Sequence, residues 1–326
     1  MIVFPKKLES WPHDVLPLVE ELLDPDSVES ESVVCDASKL EWILPIGLCG
    51  LAASCSVLAG RGITVRFENL TASMKSYFDR MDVFDQCHIE FESTIQRQDR
   101  SDRLLEIKCL DSPAQVHRVA GPLVAAITGQ MMRGHEDPED PEGMKAKPSE
   151  RLAVSLEYVM SELLENAVTH AQANGFAHAK VWIAANYYEQ NNMVRVAFVD
   201  TGCGFQQSLR FDHDVQESPN DLTAIRRALV PFVSCNRGVG ILDDSSNQGI
   251  GLTVCADIAR ETGGRLIVGS GKASLNATSN ISYPHFGHWQ GAAVDVMLHR
   301  DQLLNLDLST VVRPYQAETR PQLRFI

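Results

Sequence analysis

A glutamate and an asparagine four residues apart are the first side chains in this sequence that can do chemistry together. Glu162 and Asn166 lie in the segment LEYVMSELLENAVTHA, where apolar residues recur at helical spacing. Residues four apart share one stripe of a helix, so the carboxylate and the amide face the same space. The amide oxygen can bind Mg²⁺, and the carboxylate can orient or deprotonate a water or a hydroxyl. A surface glutamate that forms an ion pair could occupy the same position in the sequence, so Glu162 and Asn166 alone are weak evidence for a catalytic or metal-binding site.

Two glycine motifs follow this segment along the chain. Asp200-Thr201-Gly202-Cys203-Gly204 ends a predicted strand, where the carboxylate can accept a hydrogen bond from an exocyclic amine and Gly202 and Gly204 allow close main-chain approach. Gly249-Ile250-Gly251-Leu252 opens a predicted helix, whose N–H groups and dipole suit a phosphate. Each motif alone is equally typical of a tight turn or an ordinary helix start. Their order after the helical pair gives the combination its weight.

Two further side chains near the motifs are weaker candidates. His170 lies one turn beyond Asn166 on the same stripe. A packed or hydrogen-bonded histidine is the preferred interpretation there, ahead of a catalytic one. Arg237 lies between the two glycine motifs and can either meet a terminal phosphate or be a solvated loop arginine.

The elements that must position these side chains follow from the hydrophobic pattern. Residues 133–149 are acidic, rich in proline and almost free of apolar residues, which predicts a mobile loop. Residues 205–248 join the two glycine motifs and are polar, with a short helix near Leu222–Phe232, which predicts a lid. The predicted strands are Leu104–Leu110, Ala179–Asn186, Met193–Asp200, Arg265–Gly269 and Ala292–Leu298, and the other predicted helices are Pro113–Met132 and the segment from Gly251 through Arg260.

Strands and helices also alternate in the N-terminal part, which predicts a small α/β domain. Pro148 is predicted to start the central helix, and the tail from Arg300 is predicted to be peripheral. The predicted N-terminal elements are a helix at Val15–Leu23, a strand at Ser32–Asp36, a helix at Ile46–Ala59, a strand at Ile63–Phe67 and a helix at Met74–Met81.

Size and composition restrict the class of protein. A chain of 326 residues suggests about two domains. The net charge of -14 argues against sequence-independent nucleic-acid binding, which needs a basic surface. None of the eight cysteines forms a CxxC pair, which favours reduced, packed thiols over zinc sites or disulfides. The start of the chain has no long apolar run, and the apolar stretch 46–59 is too short to span a bilayer. We therefore expect a cytoplasmic protein with no membrane partner.

The three ordered motifs closely resemble those of the GHKL ATPases, which include gyrase, the large heat-shock chaperone, histidine kinases and mismatch-repair proteins. The resemblance covers roughly residues 103–300 and is closest to the anti-sigma-factor serine kinases. It implies a two-layer α/β sandwich of the Bergerat type, within an α+β fold, that binds ATP and Mg²⁺. Glu162 would be catalytic and Asn166 the metal ligand, while the ATP-binding residues would be Asn166, Asp200, Gly202, Gly204, Gly249, Ile250, Gly251 and Leu252. The family tends to have a glycine-threonine pair near the end of the domain, but this chain has Gly291-Ala292, so that hydroxyl contact is missing.

The run from Val33 to Phe67 resembles a STAS domain, the fold of bacterial anti-sigma-factor antagonists. Gly47-Leu48 matches the opening of the STAS helix, but Pro45 and Ile46 stand where the family has its phosphorylated serine. The resemblance implies an interaction domain without that phosphoswitch. We therefore divide the chain into a STAS-like domain at 1–98, an ATP-binding domain at 99–302 and a C-terminal tail at 303–326.

Three functions fit these motifs. The first is a Mg²⁺- and ATP-dependent kinase or switch that acts on a serine or threonine of a protein partner, which would be met through the STAS-like domain and the lid. The second is a slow ATPase whose lid closure gates a partner, and the third is a nucleotide sensor without turnover. The intact Glu162 argues against the sensor. The sequence does not show whether the protein forms a homodimer. It also does not discriminate between the kinase and the slow ATPase.

Overall fold

The computed structural model describes residues 1–28, 31–93, 95–129, 148–233, 250–303 and 305–318. Gly249, Arg237, most of the predicted acidic loop and residues 234–248 of the predicted lid lie outside these residues. The strands are β1 Ile2–Val3, β2 Lys7–Leu8, β3 Ser32–Asp36, β4 Trp42–Ile43, β5 Thr64–Glu68, β6 Leu104–Leu110, β7 Val181–Tyr188, β8 Met193–Asp200, β9 Arg265–Asn276 and β10 Ile281–His299. The helices are α1 Val15–Leu23, α2 Pro45–Gly60, α3 Ala72–Arg80, α4 Val83–Gln86, α5 Val116–Thr128, α6 Pro148–Ala171, α7 Gly204–Ser208, α8 His213–Glu217, α9 Asp221–Ala228, α10 Gly251–Glu261, α11 Arg300–Leu303 and α12 Leu308–Glu318.

A five-stranded sheet forms the centre of the molecule. Its strand order is β6-β7-β8-β10-β9, and each neighbouring pair is antiparallel. Helices α5, α6 and α10 pack together on one face of this sheet. Leu156, Leu164 and Val168 of α6 are buried there, as the helical spacing of the apolar residues predicts. This α+β arrangement of one sheet and one helical layer agrees with the predicted fold class.

The opposite face of the same sheet is covered by the N-terminal part of the chain. Helix α2 packs against β7 and β8, and α1 packs against β10. Buried residues of the N-terminal part form one continuous hydrophobic cluster with sheet residues that include Trp182, Val199 and Trp289. The two halves of the chain therefore share a core, whereas the sequence pattern predicts two adjoining domains without indicating how they meet.

The N-terminal part is itself an α/β unit, as predicted. Strands β1, β3 and β5 form a parallel sheet in the order β1-β3-β5, and β2 and β4 form a second, short parallel pair. Parallel strands need helical crossovers, which α1 and α2 supply between the three strands. Pro45 begins α2 at the first helical position, where proline loses no hydrogen bond. The two-residue strands β1, β2 and β4 carry no recognisable sequence pattern and were not predicted.

Several predicted boundaries differ from the structure for local reasons. Residues 113–115 form a 3₁₀ turn, and α5 ends at Gly129, where φ is +58°. Helix α6 begins at Pro148 as predicted, so residues 148 and 149 belong to its first turn and not to the predicted acidic loop. The last two strands have 12 and 19 residues and are much longer than predicted, because β10 has irregular pairing between Pro284 and Ala292 that breaks the period of two.

The prediction of a peripheral tail from Arg300 is wrong for the described part of that segment. Helix α12 packs against α6 and α10, and its Leu308, Val311 and Val312 join the helical-layer core. The buried Arg300 guanidinium donates hydrogen bonds to the carbonyl oxygens at the end of α5. This guanidinium also donates to the carbonyl of Asp102.

The described residues also bear on the predicted environment of the protein. None of the helices in the described ranges is both long enough and apolar enough to cross a bilayer. Among the cysteines that the structure describes, none forms a disulfide. Reduced thiols stay a prediction for these seven cysteines, six of which are buried, and Cys235 lies outside the described residues.

Candidate functional site

The three motifs of the sequence surround one cleft on the helical side of the sheet. The cleft holds about 850 Å³ of space, part of which is open to solvent. Its walls include α6, the turn after β8 and the start of α10, and its floor is formed by apolar sheet residues such as Phe198 and Val294. Among the residues singled out from the sequence, those that line it are Asn166, His170, Asp200, Gly204, Gly251, Leu252 and Ala292.

Asp200 is the most constrained carboxylate of the cleft. It is the last residue of β8 and is only 8% exposed. The N–H of Gly202 donates to its Oδ1 at 2.8 Å, and the N–H of Ala292 also donates to the carboxylate. Burial raises the pKa of Asp200 to about 7, while these two hydrogen bonds act in the opposite direction. The result is a carboxylate fixed in place that can accept a hydrogen bond from a ligand amine at neutral pH.

The glycines of the first motif make room for protein atoms. A Cβ on Gly202 would lie 2.3 Å from the Cα of Ala171, the last residue of α6. Gly204 has φ of +70°, and a Cβ there would lie 2.4 Å from the carbonyl oxygen of Gln290. A Cβ on Gly291 would lie 2.0 Å from the carbonyl oxygen of Asp200. These glycines therefore let α6, β8 and β10 converge around Asp200, and a ligand contact at Gly202 and Gly204 stays a prediction.

Helix α10 begins directly against the middle of α6. A Cβ on Gly251 would lie 3.0 Å from the main-chain nitrogen of Leu163, so glycine allows this close approach. Ile250 is buried and Leu252 lines the cleft. The first N–H groups of a helix have no partner within that helix and carry a partial positive charge. The start of α10 therefore places an anion-binding helix end beside Glu162 and Leu163.

Glu162 and Asn166 differ in how far they are exposed. Glu162 is 5% exposed, whereas Asn166, one turn later, is half-buried and faces the cleft. The hydroxyl of Tyr158 is hydrogen-bonded to the Glu162 carboxylate. Burial first, and then the charges of Glu162 and Glu165, raise the pKa of this tyrosine, so it stays a hydrogen-bond donor at neutral pH. The amide therefore lines the cleft, whereas Glu162 is buried, does not line the cleft and is hydrogen-bonded to Tyr158.

The prediction that His170 is packed and hydrogen-bonded is confirmed. Its Nδ1 lies 2.9 Å from the Oγ of Ser208 in α7. Burial lowers the pKa of His170 to about 4, so the ring is neutral at pH 7. Its Nδ1 can then accept a hydrogen bond from the Ser208 hydroxyl. Both residues line the cleft. Ser208 carries no motif, and the sequence offered no signal for its place here.

The described part of the predicted lid, residues 205–233, is a small helical layer. It contains α7, α8 and α9, whereas one helix was predicted, and α9 covers only part of that segment. Leu209, Val215 and Ala224 form a buried cluster within it. Asp212 binds Arg227 through both carboxylate oxygens, at 2.9 and 2.8 Å. This segment therefore packs both internally and against β9, and lid movement stays a prediction.

The described side chains place a condition on metal binding. They include no cluster of three or more histidine, cysteine, aspartate or glutamate residues that can hold a metal ion. The amide of Asn166 fits Mg²⁺ as a single oxygen ligand, since Mg²⁺ keeps several waters and takes phosphate oxygens in nucleotide sites. Magnesium at this cleft would therefore arrive together with a phosphate ligand.

The resemblance to the GHKL ATPases predicts a glycine-threonine pair at Gly291-Ala292, and the structure shows the surroundings of these two residues. Ala292 lines the cleft beside Asp200, so the main-chain position is retained without the hydroxyl. On the neighbouring strand, Ser270 is in register with Ala292. The Ser270 hydroxyl donates to the carbonyl of Gly291 at 2.8 Å and accepts from the N–H of Phe205 at 3.2 Å. This hydroxyl supports the turn and is not a substitute ligand for the missing threonine.

Comparison with known proteins agrees with the geometry of the cleft. Residues 152–285 match the family described as histidine kinase-, DNA gyrase B- and HSP90-like ATPase. The matched segment contains most of α6, both glycine motifs and the first part of β10, and it ends before Gly291. No curated protein matches the chain. Residues 152–285 are therefore similar to a GHKL-type ATPase domain, and such a domain implies ATP binding.

Proposed function

We propose that this protein is a regulatory ATP- and Mg²⁺-dependent kinase that phosphorylates a serine or threonine of a protein partner. One observation supports the proposal above the others. A buried carboxylate at a strand end, an amide on α6 and the start of α10 line a single cleft, and all three lie in the segment that is similar to a GHKL-type ATPase domain. These three features suit the amine, the metal and the phosphates of one nucleotide.

The nucleotide is proposed to bind with its base against Asp200. The exocyclic amine of adenine donates to the Asp200 carboxylate, while Phe198 and Val294 supply apolar floor for the ring. The phosphates lie toward the N-terminus of α10, whose first turn receives no hydrogen bond from a capping side chain at Ile250. Asn166, between these two points on the cleft wall, holds Mg²⁺.

Glu162 is the proposed general base. It lies one turn before Asn166 and beside the start of α10, so it is close to both proposed phosphate contacts. Its carboxylate takes the proton of the attacking hydroxyl, and Tyr158 fixes its orientation. Bound Mg²⁺ supplies the positive charge that phosphoryl transfer requires.

The partner is proposed to meet the N-terminal unit and the segment 205–248. The parallel β1-β3-β5 sheet and the STAS resemblance of residues 33–67 support an interaction role for the N-terminal unit. Pro45 and Ile46 replace the STAS phosphoserine, so the acceptor hydroxyl is proposed to belong to a separate protein. We propose a cytoplasmic location, because the buried cysteines are those of a reducing compartment. A homodimer is a further possibility for this partner surface.

A slow ATPase that gates a partner is the second candidate, and the burial of Glu162 favours it. A base that is 5% exposed reaches a small water molecule more readily than the side chain of a partner. In this alternative, closure of the segment 205–248 over the nucleotide transmits the ATP state to the partner. A nucleotide sensor without turnover is the third candidate.

One experiment with γ-labelled ATP separates these candidates. The protein is incubated with Mg²⁺ and labelled ATP, with and without the proteins encoded next to it. Labelled protein supports the kinase, and release of free phosphate alone supports the ATPase. Bound ATP without either product supports the sensor, and no bound ATP contradicts the whole proposal.

A substitution at the proposed base tests the assignment of residues. Glu162→Ala is expected to keep ATP affinity within about twofold and to reduce turnover by at least 100-fold, because the base acts only in the chemical step. The matched control is Glu157→Ala, at an exposed glutamate of the same helix. Full turnover in Glu162→Ala, or equal loss in both variants, would contradict the role of Glu162.

A further inference from the structure

Trp289 is a buried residue of β10 that belongs to none of the three motifs, yet it contacts the central carboxylate residue. Its side chain is 3% exposed. Its indole N–H donates to the main-chain carbonyl oxygen of Asp200 at 3.0 Å. The tryptophan lies on the side of the sheet that the N-terminal unit covers, whereas the cleft lies on the other side. A single hydrogen bond therefore links the two sides of the sheet at Asp200.

Irregular pairing in β10 creates this contact. Trp289 is in register with Gly271 of β9 and Ala292 with Ser270, so two extra residues of β10 bulge out between them. The registered pairs of β8 and β10 reach Val199 and stop there. At Asp200, the N–H of Ala292 donates a hydrogen bond to the side-chain carboxylate, and the indole N–H of Trp289 donates to the main-chain carbonyl. The bulge thus replaces the regular hydrogen bonds between β8 and β10 with hydrogen bonds that fix both the carboxylate and the main-chain carbonyl of Asp200.

The N-terminal unit holds Trp289 in place. The ring of Trp11 packs edge-on against the ring of Trp289, with centroids 6.1 Å apart and an interplanar angle of 74°. Trp11 is 1% exposed. A Cβ on Gly269 of β9 would lie 2.1 Å from the Nε1 of Trp11, so only glycine leaves room for this ring. The contact therefore runs from the N-terminal unit through two tryptophans to the nucleotide side of the sheet.

We propose that Trp289 is a positioning residue for nucleotide recognition, and that through Trp11 it couples the N-terminal unit to the nucleotide cleft. The inference rests on the proposed function, since it concerns the ATP contact of Asp200. Asp200 must present its carboxylate at a fixed angle to accept from the base, and its main chain sets that angle. The N–H groups of Gly202 and Ala292 hold the carboxylate end, and Trp289 holds the main-chain end.

Coupling of this kind works in both directions. If the N-terminal unit sets the position of Trp289, a partner that shifts this unit changes ATP affinity. Thermodynamic linkage then requires ATP to change the affinity for that partner by the same factor. The two-tryptophan contact is thus a physical route by which a partner on one side of the sheet senses the nucleotide on the other.

The test compares Trp289→Phe with Trp182→Phe. Trp182 is a matched control, since it is 2% exposed, lies in the same hydrophobic cluster and also donates through Nε1, to Gln86 at 3.2 Å. Both variants keep an aromatic ring and lose one indole hydrogen bond. We expect Trp289→Phe to weaken Mg²⁺-ATP binding about tenfold by calorimetry, because a tenfold change in affinity is on the order of the contribution of one hydrogen bond. Trp182→Phe is expected to bind like the wild type.

A second measurement on the otherwise native chain decides the matter even if Trp289→Phe does not fold. The protein has four tryptophans, so 5-fluorotryptophan labelling gives four ¹⁹F resonances. Substitution of Trp11, Trp42 and Trp182 by phenylalanine, one at a time, assigns three of them and leaves Trp289 by elimination. Addition of Mg²⁺-ATP is expected to shift the Trp289 resonance and to leave that of Trp182 in place.

The outcomes separate this inference from the proposed function. If the wild-type protein binds no ATP, the proposed function fails and takes the inference with it. If the wild type binds ATP while Trp289→Phe binds equally well, or both variants lose affinity equally, only the positioning role is overturned. An unmoved Trp289 resonance at saturating ATP overturns it in the same way.

Discussion

Asp200→Asn is expected to abolish ATP binding and at the same time to stabilise the protein at pH 8. Burial raises the pKa of Asp200 from 3.8 to about 7 in the folded state, so folding disfavours the charged carboxylate. For an acid whose pKa is raised by folding, the stability contribution is full below the unfolded pKa and is lost as pH rises through the folded pKa. Asparagine has no charge to desolvate, and so it avoids that loss.

The magnitude follows from the two pKa values. A difference of about 3 pKa units corresponds to about 4 kcal/mol in the free energy of unfolding at pH 8. The carboxylate accepts from two N–H groups, whereas an amide offers only one acceptor atom, and one lost hydrogen bond costs about 1 kcal/mol. We therefore expect a net gain of about 3 kcal/mol at pH 8. Below about pH 4 the gain disappears, because both forms of the protein are then neutral at this position.

Asp295→Asn is the control with the opposite sign. Asp295 is 1% exposed, and burial raises its pKa as well, but Arg195 binds both of its oxygens at 2.9 and 2.7 Å. Substitution there leaves the Arg195 charge buried without its counter-charge, which costs about 3–5 kcal/mol. The geometry of the ion pair, and not the direction of the pKa shift, decides the sign at this position.

The assay is urea unfolding of the three proteins at pH 4, 6 and 8, together with calorimetry of Mg²⁺-ATP binding at pH 8. The reasoning predicts that the difference between Asp200→Asn and the wild type grows with pH. A destabilised Asp200→Asn at pH 8, or a difference that does not change with pH, would refute the role assigned to burial. Retained ATP affinity in this variant would refute the assignment of the base contact.

Two further predictions concern residues outside the glycine motifs. Arg300→Ala is expected to lower the free energy of unfolding by about 2–4 kcal/mol, because the carbonyls of Ile127, Ala126 and Asp102 lose a charged donor; urea unfolding beside Arg300→Lys, which keeps the charge, measures this. An effect below about 1 kcal/mol would mean that water replaces the guanidinium. Tyr158→Phe is expected to reduce turnover about two- to tenfold at unchanged ATP affinity, because the hydroxyl only orients the Glu162 carboxylate. Steady-state kinetics beside calorimetry checks this, and a variant that loses affinity for ATP would contradict it.

Helices and strands that are bounded by turn-forming or polar residues could be predicted from the sequence. Helix α1 is found at Val15–Leu23 as predicted, since its apolar residues follow the helical period and Asp24-Pro25 ends it. Strands β3, β6 and β8 also have their predicted bounds, because each is a β-branched or apolar run between polar turns. The grouping of Asn166, Asp200 and Gly251 around one cleft likewise followed from motif order, whereas Glu162 does not line that cleft.

Features that depend on tertiary contact could not be predicted. Strand β7 is a run of buried residues with no alternation, so nothing in its pattern shows that the N-terminal unit covers its second face. Arg300 reads as a surface arginine until α5 supplies the carbonyls that it binds. The sequence favours ligand approach at Gly202 and Gly204, but the neighbouring atoms belong to Ala171 and Gln290. In each case the deciding neighbour is distant in sequence.

The layer of side chains that the two halves share has a consequence for how the protein evolved and how it can be dissected. Removal of residues 1–98 would expose Trp182, Val199 and Trp289 on a wide apolar face of the sheet. We expect such a fragment to aggregate, so it could not be used in a nucleotide-binding assay. The same layer ties the two halves into one cooperative melting unit. Substitutions in either half are then tolerated only when the other half can accommodate them, so the two must change in concert over evolutionary time.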